Sequence, residues 1–341
     1  MSQLVYQLLT AADCLSVLRT SHVTRAAFTD GEKPYLVPMA FQLEADGAVP
    51  LICLCMPDTG RKVNCLCRCD RVCLEFESPG CAWVDVVLLE GQAILDAWEK
   101  EILRFWKKLE DFYGITITEE DVRRAIELKN RERDVMLRFL ELGKLNPAPI
   151  SGYEMGSRLD SLGFDPDISH RCQIIEERTR EVIRDWEENH RGKPSRRPRI
   201  LVTGCPNSGV REKTIRRIEE LGADVVAFDS CNGTREKVEK VDTSLPPARA
   251  LAKKYLNINC SVMSPNTSRM DDISGMIDEY QIDGVLELVL QACHTYAIEA
   301  YHVKKTCQSK GIPYLNIETD YSTADSGQIN TRLEAFLETI E

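Results

Sequence analysis

Three cysteines stand at the ends of three hydrophobic runs in the second half of the sequence. Cys205 follows RILVTG, Cys231 follows DVVAFDS, and Cys293 follows DGVLELVLQ. Short runs of β-branched and aliphatic residues are typical of buried strands. Because the carboxyl ends of parallel strands meet at one edge of a sheet, we expect the three thiols to lie close together. Thiolates that converge in this way bind soft metal ions and iron–sulfur clusters.

A fourth cysteine and two glycines could complete such a site. Cys260 follows a predicted helix in NINCSVMSPN and could reach the same edge from a loop. Gly204 and Gly233 flank the first two cysteines and would let backbone amides approach and hydrogen-bond a cluster. The alternative is that each cysteine is a small buried hydrophobe, because this part of the sequence has no CxxC pair. Three cysteines at equivalent strand ends favour the cluster.

Candidate acid–base groups fall at the same predicted edge. His294 directly follows the third cysteine, and Asp320 and Tyr321 stand at the end of the last predicted strand, IPYLNIETD. A histidine titrates near neutral pH, so His294 could exchange protons beside a metal centre, although a structural histidine is an equal alternative. These three residues are the catalytic candidates.

The elements that must position these residues divide the chain into three segments. Residues 196–341 alternate strands with helices, which predicts an α/β domain with a flavodoxin-like parallel sheet covered on both faces. Residues 96–195 carry amphipathic helices and are expected to form a connector or scaffold. Residues 1–95 contain five or six short strands separated by turn residues, which predicts a small antiparallel β barrel.

Composition narrows the classes of function. The 341 residues carry a formal net charge of −11, and KPSRRPR is the only basic run, so an extended nucleic-acid interface is excluded. The first ten residues do not resemble a signal peptide, and no apolar run has the ~20 residues of a membrane helix. We therefore expect a cytoplasmic protein. In that compartment, 14 cysteines indicate metal binding, redox chemistry or burial rather than a disulfide framework.

Seven of the cysteines lie in the N-terminal segment, between positions 53 and 81. Cys65, Cys67 and Cys69 alternate along the chain, so on a strand they would share one face. A second metal site, or thiolates donated to the C-terminal cluster, is one interpretation. Buried thiols at barrel positions are the more ordinary one.

Five motifs together resemble a known superfamily. GCPNSG, FDSCNG, INCSVMSPN, LQACHTY and IETDYSTADSGQINTRLEAFLE are similar to segments of the 2-hydroxyacyl-CoA dehydratase and benzoyl-CoA reductase superfamily, above all its double-cubane branch. The resemblance covers residues 96–341. It implies a [4Fe-4S] or [8Fe-9S] cluster bound by cysteines, and the matching positions here are Cys205, Cys231, Cys260 and Cys293.

The same resemblance implies partners and substrates. An ATP-hydrolysing iron–sulfur activator protein delivers low-potential electrons in this superfamily. Its dehydratases act on 2-hydroxyacyl-CoA thioesters, whereas its double-cubane members reduce small molecules. Superfamily chains usually carry another α/β domain before the helical region, and in the double-cubane branch it supplies two further cysteines. That domain is not found here, so four cysteines match one [4Fe-4S] cluster, and a double cubane would need thiolates from elsewhere.

The N-terminal segment resembles a different family. HVTRAAFTDGEKPYLVPMAF, TGRKVNCLCRCDRVCLEFE and VVLLEGQA are similar to pyridoxamine-5'-phosphate-oxidase-like split barrels of the nitroimidazole-resistance type. That family binds FMN at a dimer interface, which implies FMN as a cofactor and a homodimer. Arg61 and Lys62 match the stretch that approaches the flavin phosphate, and two adjacent cations suit a dianion. Exposed surface charge is the alternative for this pair.

Three functions remain open on the sequence. The first is a cluster-dependent redox enzyme that reduces a small substrate or dehydrates a 2-hydroxyacyl-CoA. The second is a non-catalytic electron-transfer or sensor module that pairs a flavin-type barrel with a cluster domain. The third is a structural remnant that folds without metal.

Overall fold

A computed structural model describes residues 11–29, 34–44, 51–54, 62, 65, 71–77, 86–92, 95–263 and 266–340 of the chain. The chain divides into two compact units, one ending at Lys107 and the other beginning at Lys108. The described residues contain no helix that is both long enough and apolar enough to cross a membrane.

The first unit combines one helix with an antiparallel sheet. The helix is α1 (Ala11–Thr20), and the strands are β1 (Val23–Thr29), β2 (Pro34–Glu44), β3 (Leu51–Leu54), β4 (Arg71–Glu77) and β5 (Val86–Gln92). Alternation along β1 buries Thr24, Ala26 and Phe28 and leaves Val23 and Arg25 exposed, as expected of a strand with one covered face. Phe76 of β4 is fully buried against the same core.

The antiparallel sheet predicted for this segment is present, but the predicted barrel is not confirmed. The strand order is β3-β2-β1-β4-β5. A barrel closes only when its two outer strands pair with each other. Among the described residues, β3 pairs with β2 and β5 pairs with β4, so these strands form an open sheet.

Four longer helices follow the first sheet along the chain. They are α2 (Leu95–Tyr113), α3 (Glu119–Leu140), α4 (Gly152–Leu162) and α5 (Ile168–Asn189). Helix α3 begins at a capping box: Thr118 Oγ1 accepts the Asp121 N–H at 3.2 Å, and Asp121 Oδ2 accepts the Thr118 N–H at 2.9 Å. Asp167 caps α5 in the same way, by accepting the N–H groups of Ser169 and His170.

A four-stranded parallel sheet organises the C-terminal part of the second unit, as the sequence predicts. Its strands are β6 (Arg199–Gly204), β7 (Asp224–Asp229), β8 (Gly284–Leu290) and β9 (Tyr314–Thr319). The connecting helices are α6 (Arg217–Glu220), α7 (Pro247–Leu256), α8 (Thr267–Glu279) and α9 (His294–Lys310), and α10 (Ser326–Glu338) follows β9. The order β7-β6-β8-β9 corresponds to 2-1-3-4, the first four positions of a flavodoxin-like sheet.

Helices cover both faces of this sheet. Ile200 and Val202 of β6 pack into the core formed with α3, α4, α5 and α10, whereas Leu201 packs into the core formed with α8 and α9. All six residues of β6 are buried, which is why the strand reads as a continuous hydrophobic run. Because β6 pairs with β7 on one side and β8 on the other, the switch point of the sheet lies between the carboxyl ends of β6 and β8.

Candidate metal centre

Cys205 and Cys293 meet at the switch point of the parallel sheet. Cys205 directly follows β6 and is 3% exposed. Its N–H donates to the Leu288 carbonyl at 2.8 Å, and the Leu290 N–H donates to its sulfur at 3.3 Å. Cys293 is the N-cap of α9, its N–H donates to the Leu290 carbonyl at 2.9 Å, and its side chain packs in one cluster with Cys205. Both cysteines are therefore fixed by β8 and its neighbours.

The two thiols have pKa values that are shifted in opposite directions. Burial raises the pKa of Cys205 to about 12. Partial burial also opposes ionisation of Cys293, but the main-chain N–H groups of Tyr296 and Thr295 and the Thr295 hydroxyl hold its pKa below the usual value. A soft metal centre would take both as thiolates and release the Cys205 proton.

Cys231 and Cys260 approach the same helix start from two loops. Cys231 lies two residues after β7 and is exposed, and Arg235 of the same loop donates to the Tyr296 hydroxyl. Cys260 is half-buried in the loop after α7. The residue after it, Ser261, donates its hydroxyl to Thr295 Oγ1 at 3.2 Å. Tyr296 and Thr295 of α9 therefore link both loops to the Cys205–Cys293 pair.

The four cysteines do not form a site for a single metal ion in the part of the chain that the structure describes. Within the described ranges, no three His, Cys, Asp or Glu side chains lie close enough together to coordinate one ion. The thiolates that hold an iron–sulfur cluster bind different iron atoms, so they surround the cluster rather than converge on one point. Four sulfur donors and several N–H groups directed at sulfur match that requirement in chemical type.

A buried charged network lies beside the cysteine edge, and the sequence patterns do not predict it. Asp229 ends β7, and its carboxylate accepts from Arg235 Nη2 at 3.0 Å and Arg269 Nε at 3.1 Å. The Thr203 hydroxyl donates to the same carboxylate at 2.7 Å. The two arginine side chains are 1% and 0% exposed. Although burial opposes its ionisation, the two guanidinium groups hold the pKa of Asp229 below its ordinary value.

Arg269 joins this network to two further carboxylates. It is ion-paired with Glu299 of α9 and lies 3.8 Å from Glu287 of β8. Glu287 is completely buried, and that burial raises its pKa to about 7, although the Tyr314 hydroxyl donates to it. In the sequence, the one sign of this network is a glutamate inside the hydrophobic run VLELVL. Glutamate is rarely buried without partners, so its position in a buried strand indicates a partner of opposite charge.

Tyr296 connects the network to the cysteines. Its hydroxyl accepts a hydrogen bond from Arg235, and its ring centroid lies 5.5 Å and 5.2 Å from the guanidinium carbons of Arg235 and Arg269. The buried ring also packs in one apolar cluster with Cys205 and Cys293. A single aromatic side chain therefore separates two buried cations from the candidate thiolate ligands.

The predicted acid–base residues lie at the sheet edge but on its surface. His294 is the first residue of α9 and is exposed. Asp320 is exposed and accepts the Ser322 N–H at 2.8 Å, and its hydrogen bonds with Ser322 keep its pKa below the ordinary value. Tyr321 is 69% exposed, and its ring lies against the backbone of Gly209. Their catalytic roles stay predictions.

The predicted flavin-phosphate cations are only partly described. Lys62 is half-buried in a helical conformation, and Arg61 lies outside the described residues. Cys65 is 1% exposed and packs in the core of the first unit, and Cys73 is half-buried in β4. Cys67 and Cys69 also lie outside the described residues.

Both glycines beside the cysteines permit a close backbone approach. Gly204 has φ of +105°, and a Cβ there would lie 2.2 Å from the Leu288 carbonyl oxygen. At Gly233 the corresponding contact, with the Phe228 carbonyl oxygen, would be 2.1 Å. In the structure, the two glycines therefore let their loops pack closely against the backbone of β8 and β7. This packing fixes the position of the loops that carry the cysteines.

Replacing Gly204 with alanine should lower the free energy of unfolding by about 1–3 kcal/mol, because an L-residue is strained at this φ and its methyl group meets the backbone of β8. The matched control is Gly275→Ala in α8, where the added methyl group meets open space and should stabilise by about 0.5–1 kcal/mol. Urea denaturation of both variants measures the difference. Equal effects of the two substitutions would contradict this account of Gly204.

Comparisons with known proteins agree with the C-terminal resemblance. The family HGD-D, described as 2-hydroxyglutaryl-CoA dehydratase, D-component, matches residues 15–340. "Putative dehydratase subunit YjiM" of Escherichia coli (strain K12) is 44% identical over 242 residues, which cover 71% of this chain and 63% of that protein.

Two further relatives are subunits of acyl-CoA dehydratases. The (R)-phenyllactyl-CoA dehydratase beta subunit of Clostridium sporogenes is 26% identical over 235 residues, which cover 69% of this chain and 61% of that protein. Subunit beta of (R)-2-hydroxyglutaryl-CoA dehydratase from Acidaminococcus fermentans is 23% identical over 243 residues, which cover 68% of this chain and 61% of that protein. The matches thus span somewhat less than two thirds of the length of these relatives.

The resemblance of residues 1–95 to a flavin-binding split barrel gains no support from these comparisons, and neither does FMN as a cofactor. The dehydratase family match begins at residue 15 and so includes most of that segment. The match covers well over half of the sequence, and it includes the parallel sheet and the four candidate cysteines. The chain therefore belongs to the 2-hydroxyglutaryl-CoA dehydratase D-component family, within the 2-hydroxyacyl-CoA dehydratase superfamily.

Proposed function

We propose that this chain is an iron–sulfur subunit of a 2-hydroxyacyl-CoA dehydratase, and that Cys205, Cys231, Cys260 and Cys293 hold its cluster. The observation that carries the proposal is the Cys205–Cys293 pair at the switch point of the sheet, where hydrogen bonds to the Cys293 sulfur lower its pKa. Open parallel sheets bind their ligands at this position. The family match supports the cluster chemistry independently of the geometry.

The protein's own groups have defined roles in this proposal. Cys293 supplies a thiolate stabilised by the first N–H groups of α9, and Cys205 supplies a second sulfur that accepts the Leu290 N–H. Cys231 and Cys260 bring sulfur from the loops after β7 and α7. A bound cluster would supply one-electron transfer at low potential. Hydrogen bonds to sulfur tune that potential, so the N–H donors belong to the function as well as to the fold.

Substrate and partners follow from the relatives. Two relatives are named as acyl-CoA dehydratase subunits, which favours a 2-hydroxyacyl-CoA substrate over the reduction of a small molecule. An ATP-hydrolysing activator protein would deliver the electron. All three relatives are named as subunits, so we propose that this chain also works with a second, different subunit; the predicted homodimer has no support here.

Serine substitution at each proposed ligand tests the cluster assignment. In protein purified without oxygen, Cys205→Ser, Cys231→Ser, Cys260→Ser and Cys293→Ser should each lower the iron and acid-labile sulfide bound per chain. Loss of an outer-shell partner typically weakens metal binding by roughly 10–100-fold, and loss of a direct ligand should weaken it at least as much.

Two buried cysteines provide matched controls for this test. Cys172 of α5 and Cys307 of α9 are both fully buried in apolar cores of the second unit. Cys172→Ala and Cys307→Ala remove a thiol of the same type and should leave the iron content unchanged. Unchanged iron in all four serine variants would remove the proposal, as would equal losses in the two controls.

A further inference from the structure

A cavity of about 430 Å³ opens in the second unit beside Cys231. This volume lies within the range of small-molecule sites, about 300–1,000 Å³. Helices α3, α4 and α5, the loop after β7 and Tyr255 of α7 form its walls. Among the residues described in its lining, the charged side chains are Lys129, Arg133, Arg171, Lys237, Glu132 and Glu236.

Both carboxylates of this lining form ion pairs with lining cations. Glu236 pairs with Arg133, with an N–O distance of 2.6 Å. Glu132 pairs with Arg171 at 2.7 Å and with Lys129, so two cations share one carboxylate. Four cations and two carboxylates leave the cavity with two excess positive charges, in a chain whose net charge is −11. A local positive field of this kind attracts an anion.

Lys237 is the lining cation best placed to receive that anion. Its ammonium group donates to the main-chain carbonyls of Asn232 at 3.1 Å and Gly233 at 2.7 Å. These two bonds orient the side chain along the loop after Cys231, but they do not neutralise its charge. An ammonium group has three N–H donors, so one remains for a ligand in the cavity.

Part of the lining is apolar. Met136 of α3 and Leu159 and Leu162 of α4 line the cavity and also belong to, or pack against, the core of the second unit. Inorganic anions gain nothing from such walls, whereas an organic anion can bury its carbon skeleton there. The combination of two excess cations and an apolar wall selects an anion with a hydrocarbon body.

We propose that this cavity binds a small organic carboxylate, whose charged end is bound by Lys237 and whose aliphatic part packs against Met136, Leu159 and Leu162. Because Cys231 also lines the cavity, the ligand lies beside one of the proposed cluster ligands. The binding itself does not depend on the cluster; only the role of the carboxylate as part of a substrate rests on the proposed function.

Calorimetric titration of the full chain with acetate, butanoate, hexanoate and inorganic phosphate tests this site. Affinity should rise about fourfold with each methylene group that the apolar wall buries, and hexanoate should bind more tightly than phosphate. Lys237→Gln retains a hydrogen-bond donor but removes the charge, and it should weaken hexanoate binding about tenfold or more. The matched control is Lys240→Gln. Lys240 is exposed, lies outside the cavity, and forms an ion pair with Asp134 at 3.1 Å.

The outcomes separate this inference from the cluster proposal when iron is assayed in the same samples. Hexanoate binding that increases with chain length and is lost in Lys237→Gln supports the site, whether or not iron is present. Affinity that is independent of chain length, or that is equal in the two lysine variants, overturns it. An absence of hexanoate binding in iron-loaded protein overturns the inference and leaves the cluster in place. The chain-length series uses unmodified protein, so it decides the question even if Lys237→Gln fails to fold.

Discussion

Replacing Arg269 with methionine should lower the free energy of unfolding by about 3–5 kcal/mol, the usual cost of removing one partner from a buried ion pair. Arg269 is fully buried and faces three carboxylates, those of Asp229, Glu287 and Glu299. Methionine preserves most of the length and packing of the side chain, so the loss reports the missing charge. Arg235 still neutralises Asp229 in the variant, but Glu299 and Glu287 lose their nearest cation.

Urea denaturation followed by circular dichroism measures this effect. Arg124→Met is the control, because Arg124 forms an exposed ion pair with Asp121 on α3, and such pairs contribute about 0–1 kcal/mol. A loss below about 1 kcal/mol for Arg269→Met would mean that the three carboxylates find other partners, and the buried network would then not stabilise this edge of the sheet.

Replacing Glu287 with glutamine should make the protein relatively more stable as the pH rises from about 4.5 to about 7. Burial raises the folded-state pKa of Glu287 from an ordinary value of 4.5 to about 7. A raised carboxyl pKa means that the folded state binds the proton more tightly than the unfolded state does. The stability that this proton provides is fully present below pH 4.5 and is lost as the pH rises through about 7.

The size of the pH effect follows from the same shift. At about 1.4 kcal/mol per pKa unit, the difference in unfolding free energy between Glu287→Gln and the unmodified chain should change by about 3 kcal/mol across this interval. The change should be in favour of the variant, and it should level off above about pH 7–8. Glu318→Gln, an exposed glutamate on the neighbouring strand β9, should produce no comparable trend. A pH-independent difference for Glu287→Gln would show that folding does not raise the pKa of Glu287 above its value in the unfolded chain.

Patterns along the chain predict the framework of the second unit well, because each pattern has a local physical cause. RILVTG and DGVLELVLQ are continuous hydrophobic runs because both faces of a parallel strand are covered. Thr118 and Asp121 mark the start of α3 because their side chains satisfy the first N–H groups of the helix. The alternation of such signals yields the order of strands and helices, and with it the edge at which Cys205 and Cys293 meet.

The contacts that define the site depend on non-local geometry, so local patterns do not predict them. Arg269 lies 40 residues from Asp229 in sequence and 30 from Glu299. Charged residues ordinarily lie on the protein surface, so the sequence pattern predicts solvent exposure for all three. In the sequence, Lys237 likewise resembles a surface lysine, although in the structure it lines a cavity together with residues of α3 and α4.

The barrel prediction is not confirmed for a related reason. Alternation predicts the strands of the first unit, but the pairing of outer strands that would close a barrel is long-range and is not seen among the described residues.

The most direct test of the central claim is the iron and acid-labile sulfide content per chain, together with a visible spectrum, of protein purified without oxygen. We expect about four irons and about four sulfides per chain, with the broad absorption of a [4Fe-4S] cluster, if the ligands are Cys205, Cys231, Cys260 and Cys293. About eight irons would point to a double cubane that recruits additional thiolates. Colourless protein without iron, never exposed to air, would contradict the account and leave the parallel sheet with a cysteine-lined edge that holds no cluster.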